Sequence, residues 1–319
     1  MAVVGAAGFA GAIAARLVHR HPGLELAAVT ARGDDLGRRV DDLYPHHRVP
    51  LELTAVEDLP EVDAAIVCYP HAAAAPVVAE LRGRGVKVVD LSADFRLRDR
   101  AAYEDWYGPH GAPDLFGTAP YGLPELRREE IRGAGLVANP GCYPTAALLG
   151  LAPLSGRIAD VVIDAKSGVS GAGRGARPDT HFVAADENVT PYKVSGHRHI
   201  PEIEQELGAR VTFIPHLVPL DQGELVSAYV TPTEPVEDVR ALFAEAYADE
   251  PFVEWADRPP GVRDVRETNV CRIHAVSDPR TGKVVVFSAI DNLWKGAASQ
   301  GVQNLNLMLG LDETAGLLP

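Results

Sequence analysis

Two segments of the chain carry side chains able to do covalent chemistry. The first is Asn139-Pro140-Gly141-Cys142-Tyr143-Pro144-Thr145. An apolar run from Gly135 to Ala138 precedes it, and a helix-forming stretch, Ala146 to Leu149, follows. Pro144 suits the first turn of that helix, where its missing N–H would have had no partner. Cys142 then stands beside a helix N-terminus, whose unpaired amides and positive dipole end favour a thiolate. Two readings stand: a nucleophile, or a small buried hydrophobe on a turn. The second segment is Tyr192-Lys193-Val194-Ser195-Gly196-His197-Arg198-His199-Ile200-Pro201-Glu202. Pro201 suits a helix start and Gly208 its end. The two histidines lie on the approach to that N-terminus, which favours neutral imidazole able to accept a proton. Metal is the competing chemistry, because His-x-His with a remote cysteine can bind zinc. Cys68 and Cys271 lie inside apolar strands, however, and no other convincing ligands stand out. Either histidine alone is by default a surface residue.

A nucleotide signal stands at the start of the chain. Gly5-Ala6-Ala7-Gly8-Phe9-Ala10-Gly11 is a G-x-x-G-x-x-G turn between a strand and an amphipathic helix. Such glycines permit a tight turn and let the backbone approach a pyrophosphate seated on the helix N-terminus. The pattern departs from G-x-G-x-x-G, so its placement carries the argument; a plain glycine-rich turn is the alternative. An NAD-preferring site usually has an acid at the end of the second strand. Here the chain reads Val29-Thr30-Ala31-Arg32, which favours NADP, with Thr30 hydrogen-bonding and Arg32 neutralising a 2′-phosphate. Asp34 and Asp35 follow closely. A second glycine-rich loop, Lys166 to Arg174 with Ser170, Gly171 and Gly173, can form an anion nest or cover a nicotinamide. Arg96, in Asp90-Leu91-Ser92-Ala93-Asp94-Phe95-Arg96, follows a strand at the sheet edge where ligands bind. It can clamp a phosphate or carboxylate there, or pair with Asp94 or Asp99.

The elements that must position these groups differ between the halves. In the first half, strands are expected at Ala2 to Val4, Leu24 to Val29, Val62 to Tyr69, Val86 to Leu91 and Gly135 to Asn139. Helical stretches fall between them, with Phe9, Ile13 and Leu17 on one helical face and a further helix from Ala72 to Arg84. Such alternation implies parallel strands with crossover helices. After about residue 155, strands at Asp160 to Ala165, Val211 to Val218, Glu224 to Val230, Val270 to Val276 and Lys283 to Ile290 outnumber the helices Glu202 to Leu207 and Val236 to Tyr247. That half reads as a mixed α+β domain. The tail from Leu293 to Leu309 reads as a long helix that packs back on the first domain.

Bulk properties narrow the class. A length of 319 residues suggests two domains. With 46% hydrophobic and 23% charged residues, the chain has an ordinary globular composition. A net charge of −14 argues against a general nucleic-acid binder, so an anionic ligand must be held locally against the overall field. Three cysteines make no disulfide framework and fit a reducing compartment. No apolar run is long enough to span a bilayer. Met1 to Val4 carries no signal-peptide features; it reads as a strand beginning almost at the initiator, with a residue or two missing upstream.

With these residues assembled, the chain resembles N-acetyl-gamma-glutamyl-phosphate reductases of the longer bacterial type, within the aspartate-semialdehyde dehydrogenase superfamily. The segments that carry the resemblance are Gly5 to Gly11, Ser92 to Arg96, Pro120 to Glu125, Asn139 to Thr145, Ser170 to Arg174, Gly196 to Glu202 and Ala289 to Gly296. They run in family order over nearly the whole chain. Departures are Ala7 where Ser is frequent and Phe9 where Tyr is usual. The resemblance implies an α/β Rossmann domain, residues 1–142 completed by the C-terminal helix 293–319. It also implies an α+β catalytic and oligomerisation domain, residues 143–292. Cys142 would then be the nucleophile, His197 the acid/base, and Asn292 a neighbour of the nicotinamide. The candidate cofactor contacts are Gly5, Ala7, Gly8, Phe9, Ala10, Thr30, Arg32, Ser170, Gly171, Gly173 and Asn292. The candidate substrate contacts are Arg96, Asn139, His199 and Glu202. The implied activity is NADPH-dependent reduction of an acyl phosphate to an aldehyde in arginine biosynthesis, by a cytoplasmic homodimer or homotetramer. No metal, nucleic acid or membrane is expected. The expected chemistry is thiolate attack on the acyl phosphate, loss of phosphate, and hydride addition to the resulting thioester. His197 would take the thiol proton or protonate the oxyanion. The alternatives are an aminoadipyl-phosphate reductase of lysine biosynthesis, an aspartate-semialdehyde dehydrogenase, or a non-catalytic NADP-binding regulator.

Overall fold

Short apolar runs in the first 140 residues fold as strands buried on both faces. In a computed structural model, which describes residues 1–318, these are β1 (Ala2–Val4), β2 (Ala28–Thr30), β3 (Leu53–Thr54), β4 (Ala64–Val67), β5 (Lys87–Asp90) and β6 (Leu136–Ala138). They form one sheet in the order β3-β2-β1-β4-β5-β6, every neighbouring pair parallel. Parallel sheets of this kind need helices on both faces, which accounts for continuous apolar strands rather than alternation. The strand order reverses between β1 and β4, and ligands bind at the carboxyl ends of the strands on either side of such a reversal.

Gly5 leaves β1 at that point. Its φ is +87°, and a Cβ on it would lie 3.0 Å from the Cys68 carbonyl oxygen. A Cβ on Gly11 would lie 2.2 Å from the Gly5 oxygen, so only glycine lets the helix Phe9–His19 pack this close to its own lead-in turn. The expected strand over 24–29 is shorter and later: β2 begins at Ala28. Chain segments Met1–Gly141 and Ala297–Pro319 belong to one unit, so residues of the C-terminal helix Ser299–Leu309 pack with this sheet. That helix is buried nearly all round although it carries Ser299, Gln300, Gln303, Asn304 and Asn306. The amides are used internally: Gln300 and Asn304 both donate to the Gly122 oxygen. A π-helical turn, Trp294–Ala298, precedes the helix where one long helix from 293 was expected.

The second unit is Cys142–Gly296. Its strands are β7 (Ile158–Gly168), β8 (Thr190–Pro191), β9 (Thr212–Val218), β10 (Glu224–Pro232), β11 (Val253–Trp255), β12 (Cys271–Asp278) and β13 (Lys283–Ile290). Their order is β11-β12-β13-β10-β7-β9-β8. Neighbours are antiparallel except β11 with β12 and β7 with β9. The helix Cys142–Leu151 lies on β10 and β13. Every residue from Tyr143 to Leu151 is buried, as expected of a helix that is apolar all round. The α+β reading of this half holds.

Gly11→Ala is expected to force the helix Phe9–His19 away from the Gly5 turn. Overpacking of this kind costs about 1–3 kcal/mol, and urea unfolding should show it. An unchanged midpoint would mean the turn has slack that the geometry does not show.

Candidate active site

Cys142 is the first residue of the Cys142–Leu151 helix and the only residue of that helix that is not buried. Pro144 sits in the first turn, as the sequence suggested. The packing around the cysteine is tight: a Cβ on Gly296 would lie 2.7 Å from Cys142 Cβ and 3.2 Å from its Cα. The glycine therefore brings the end of the 289–296 segment against the cysteine backbone. The units divide just before Cys142, so the sulfur and the His197 ring belong to the same one.

His197 sits in an aromatic cage. Tyr143, His199 and Phe213 meet it edge-on at centroid distances of 5.6, 4.8 and 5.3 Å. Its Nδ1 accepts the His199 backbone N–H at 3.2 Å. The proton of the neutral ring is therefore on Nε2, which lies 3.4 Å from the Tyr192 hydroxyl. Tyr192 in turn donates to the Tyr143 hydroxyl at 3.4 Å, and Tyr143 donates to the His216 carbonyl at 3.2 Å. Burial, reinforced by Lys193 and Arg198, pushes the His197 pKa down to about 4. His199 caps the helix Ile200–Leu207, and Glu202 is buried in its first turn.

A further group that sequence reasoning did not select stands beside the sulfur. Glu224, first residue of β10, is fully buried and pairs in register with Ser167 of β7. Neither carboxyl oxygen makes a well-formed hydrogen bond; the donors that face it are the Cys142 thiol and the Ser167 hydroxyl. Burial pushes its pKa up to about 8. Tyr192 and Tyr143 also lie within the electrostatic reach of Cys142 and Glu224. Next to this cluster, Asn292 is spent at both ends of its amide. Its Oδ1 accepts the Gly223 N–H at 2.7 Å, and its Nδ2 donates to the Ser170 hydroxyl at 3.0 Å. Gly171 and Gly173 lie on the exposed continuation of that loop.

In the first unit the nucleotide residues gather at the β1 turn. No side chain caps the helix Phe9–His19, and Gly8, Phe9 and Ala10 at its start are half-exposed. Ala7 is buried, and its carbonyl accepts from Tyr44 at 2.9 Å, which braces the turn. Free amides at a helix N-terminus beside a strand-order reversal fit the pyrophosphate of a dinucleotide. Arg32 is exposed and lies over the Tyr69 ring, 4.0 Å from its centroid. The expectation for Thr30 needs correcting. Its side chain is fully buried and its hydroxyl accepts from the Gly5 N–H at 3.3 Å, so it braces the turn and does not face a 2′-phosphate.

Arg96 and Asn139, expected as substrate contacts, both lie at the end of β6. Arg96 is 4% exposed and donates to the backbone carbonyls of Asn139 and Leu91 at 2.7 and 2.8 Å. Asp94, one partner considered for it, accepts from the backbone of Ala72, Ala74 and Ala75 and from Tyr103. Asn139 is buried and bonded to Asn304, Pro140 and Ala297. Both residues hold the end of β6 in place. Among the described residues, no group of three or more His, Cys, Asp or Glu side chains is placed to hold a metal ion, and no helix is long and apolar enough to cross a membrane.

A parallel sheet with a glycine turn at its reversal, joined to a mixed sheet that carries a cysteine, a histidine and a buried acid, defines a class. The semialdehyde dehydrogenase NAD binding domain matches residues 1–134, and the semialdehyde dehydrogenase dimerisation domain matches residues 142–292. The chain belongs to the semialdehyde dehydrogenase family. Within it, the chain is 50% identical to the N-acetyl-gamma-glutamyl-phosphate reductase of Desulforudis audaxviator, over 99% of this chain and 97% of that protein. It is 48% identical to the enzyme of the same name from Moorella thermoacetica, over 99% and 96%. Among solved structures, aspartate semialdehyde dehydrogenase II from Vibrio cholerae, complexed with ASA, superposes with a TM-score of 0.76 at 19% identity, covering 97% of each chain. The NADP complex of aspartate semialdehyde dehydrogenase from Candida albicans gives 0.73 at 14%, also covering 97% of each. These two show the same fold.

The His197 environment predicts a titration. With the folded-state pKa below the ordinary 6.5, the unfolded chain takes up this proton between pH 6.5 and about 4 while the folded chain does not. Stability therefore falls as pH drops through that window. NMR of the His197 ring should show a midpoint near 4; a midpoint near 6.5 would contradict the burial argument. Gly296→Ala should displace Cys142 and slow the reaction steeply, because a misplaced reacting atom costs about 10²-fold in rate. Unchanged turnover would show that the sulfur tolerates the shift.

Proposed function

We propose that this chain reduces N-acetyl-gamma-glutamyl phosphate to N-acetyl-glutamate semialdehyde with NADPH and releases phosphate, a step of arginine biosynthesis. The observation that carries the reading is Cys142 on the first turn of a buried helix, in the same unit as a caged His197, in a chain 50% identical over its length to a reductase of that name. The working form is a cytoplasmic homodimer or homotetramer; the match to a dimerisation domain over residues 142–292 supports an oligomer.

The residues take distinct roles. Cys142 attacks the acyl-phosphate carbonyl and forms a thioester, a step that needs thiolate character in the sulfur. Amides in the first turn of its helix stabilise the transient oxyanion. His197, neutral and protonated on Nε2, donates a hydrogen bond to that oxygen rather than accepting the thiol proton. NADPH, when bound, supplies the hydride that reduces the thioester. The Gly5 to Gly11 turn, with the amides of Phe9 and Ala10, holds the pyrophosphate, and Arg32 meets the 2′-phosphate in place of Thr30. His199 and Glu202 lie at the N-terminus of the following helix and line the acyl side of the site. Ser170 and Asn292 keep the glycine-rich loop at Gly171 and Gly173 in place near the nicotinamide.

Cys142→Ser is expected to abolish turnover with NADPH binding near normal, measured by steady-state assay and fluorescence titration. Full activity would remove the nucleophile. His197→Asn should lower the single-turnover rate by about 10²–10⁴, and His199→Asn should lower it less; the reverse order would move the role to His199. Arg32→Ala should weaken NADPH far more than NADH, and equal losses would refute the 2′-phosphate contact. Comparing glutamyl-derived and aminoadipyl-derived semialdehydes in the oxidative direction tests the substrate: a preference for the longer one would contradict it.

A further inference from the structure

The Cys142 thiol must give up a proton before its sulfur attacks, and His197 is poorly built to take it. Its Nδ1 is occupied by the His199 N–H, and its Nε2 already carries the proton of the neutral ring. Its cage of Tyr143, His199 and Phe213 and the nearby Lys193 and Arg198 disfavour the imidazolium. Glu224 has the opposite situation. It is fully buried at the start of β10, neither oxygen is engaged in a well-formed hydrogen bond, and the cysteine thiol faces it. Burying a carboxyl that has only loosely placed donors is costly, and the structure keeps one facing the reacting sulfur.

From this arrangement we infer that Glu224 is a catalytic residue, whose carboxylate takes the Cys142 proton as the sulfur attacks and gives it back when the thiohemiacetal collapses. The role rests on the reading of Cys142 as the nucleophile. In the first step the S–H bond breaks and the proton forms an O–H bond on Glu224. The electron pair left on sulfur bonds the acyl carbon, and the C–O bond to phosphate then breaks, its bonding pair leaving with the phosphate. After hydride addition, the thiohemiacetal oxyanion re-forms its C=O bond and expels the sulfur, which recovers the proton from Glu224. The carboxylate and the thiol are then as they began.

The groups facing Glu224 set when it can act as a base. Cys142 from the 142–151 helix and Ser167 from β7 stabilise its charged form. Asp291, after β13, opposes it, and the Tyr143 and Tyr192 phenols lie in its field. Burial dominates and holds the acid near 8, so the base form grows as pH rises through neutrality. The neutral acid also leaves the thiolate without a second adjacent negative charge.

The test is the burst of phosphate released when the full chain meets the acyl phosphate without NADPH, followed against pH. For the wild type, the burst rate should rise with pH through an inflection near 8. Glu224→Gln keeps the shape of the side chain. It should slow the burst by about 10²-fold and remove the inflection, with thermal melting and NADPH binding unchanged. Ser167→Ala is milder and removes one donor from the carboxylate; it should move the inflection to higher pH even if the Gln variant does not fold. His197→Asn should keep the inflection. A Glu224→Gln burst with wild-type rate and inflection overturns the role, as does an inflection that stays put in Ser167→Ala. An inflection lost in His197→Asn but kept in Glu224→Gln gives the proton to histidine and also overturns it. Absence of any burst in the wild type together with normal turnover by Cys142→Ser overturns the nucleophile itself, and the role of Glu224 with it.

Discussion

A helix with every residue buried except its first has no freedom to roll or slide, and the site depends on that restriction. Tyr143 to Leu151 are all enclosed, and the helix rests on β10 and β13. Gly150 lies against the Ser288 side chain, where a Cβ would approach to 3.2 Å. Gly296 closes on Cys142 from the other end of the same unit. The sulfur is therefore presented by packing, and its neighbours are whatever the strand beneath it offers. That strand begins with Glu224.

The polar groups around the sulfur follow from the same enclosure. Burial works in opposite directions on a base and an acid: it holds His197 neutral by lowering its pKa and holds Glu224 neutral by raising its pKa. Two environments of one unit thus push two titratable groups apart, a common means of assigning separate proton roles at one pH. The His199 backbone N–H fixes the His197 tautomer by occupying Nδ1, and the Tyr192–Tyr143–His216 chain runs on from the Nε2 edge.

Much of this was legible in local sequence. The cysteine turn, the His-x-His approach to a helix and the glycine turn each carry their signal within a few residues, through proline, glycine and helix-start chemistry. Glu224 was not legible. Following Asp221-Gln222-Gly223, it reads as the charged lip of a turn, and only its pairing with Ser167, distant in the chain, buries it. Thr30, Arg96 and Asn139 show the converse. Their types suit phosphate and substrate contacts, and the structure also gives each a bracing role, Thr30 at the Gly5 turn and the other two at the end of β6. In the case of Asn139, the partner is Asn304, on a helix whose polar side chains disguise how deeply it is buried. The short strands β3, β8 and β11 are set by pairing alone and leave almost no pattern of their own.

The central claim is that the acyl group is carried on the sulfur of Cys142. Mass mapping of the full chain, acid-quenched after mixing with the acyl phosphate in the absence of NADPH, tests it most directly. The account predicts one acyl adduct, on the peptide that contains Cys142, discharged when NADPH is added. An adduct on another residue, or none at all from a chain that turns over fully, would contradict it.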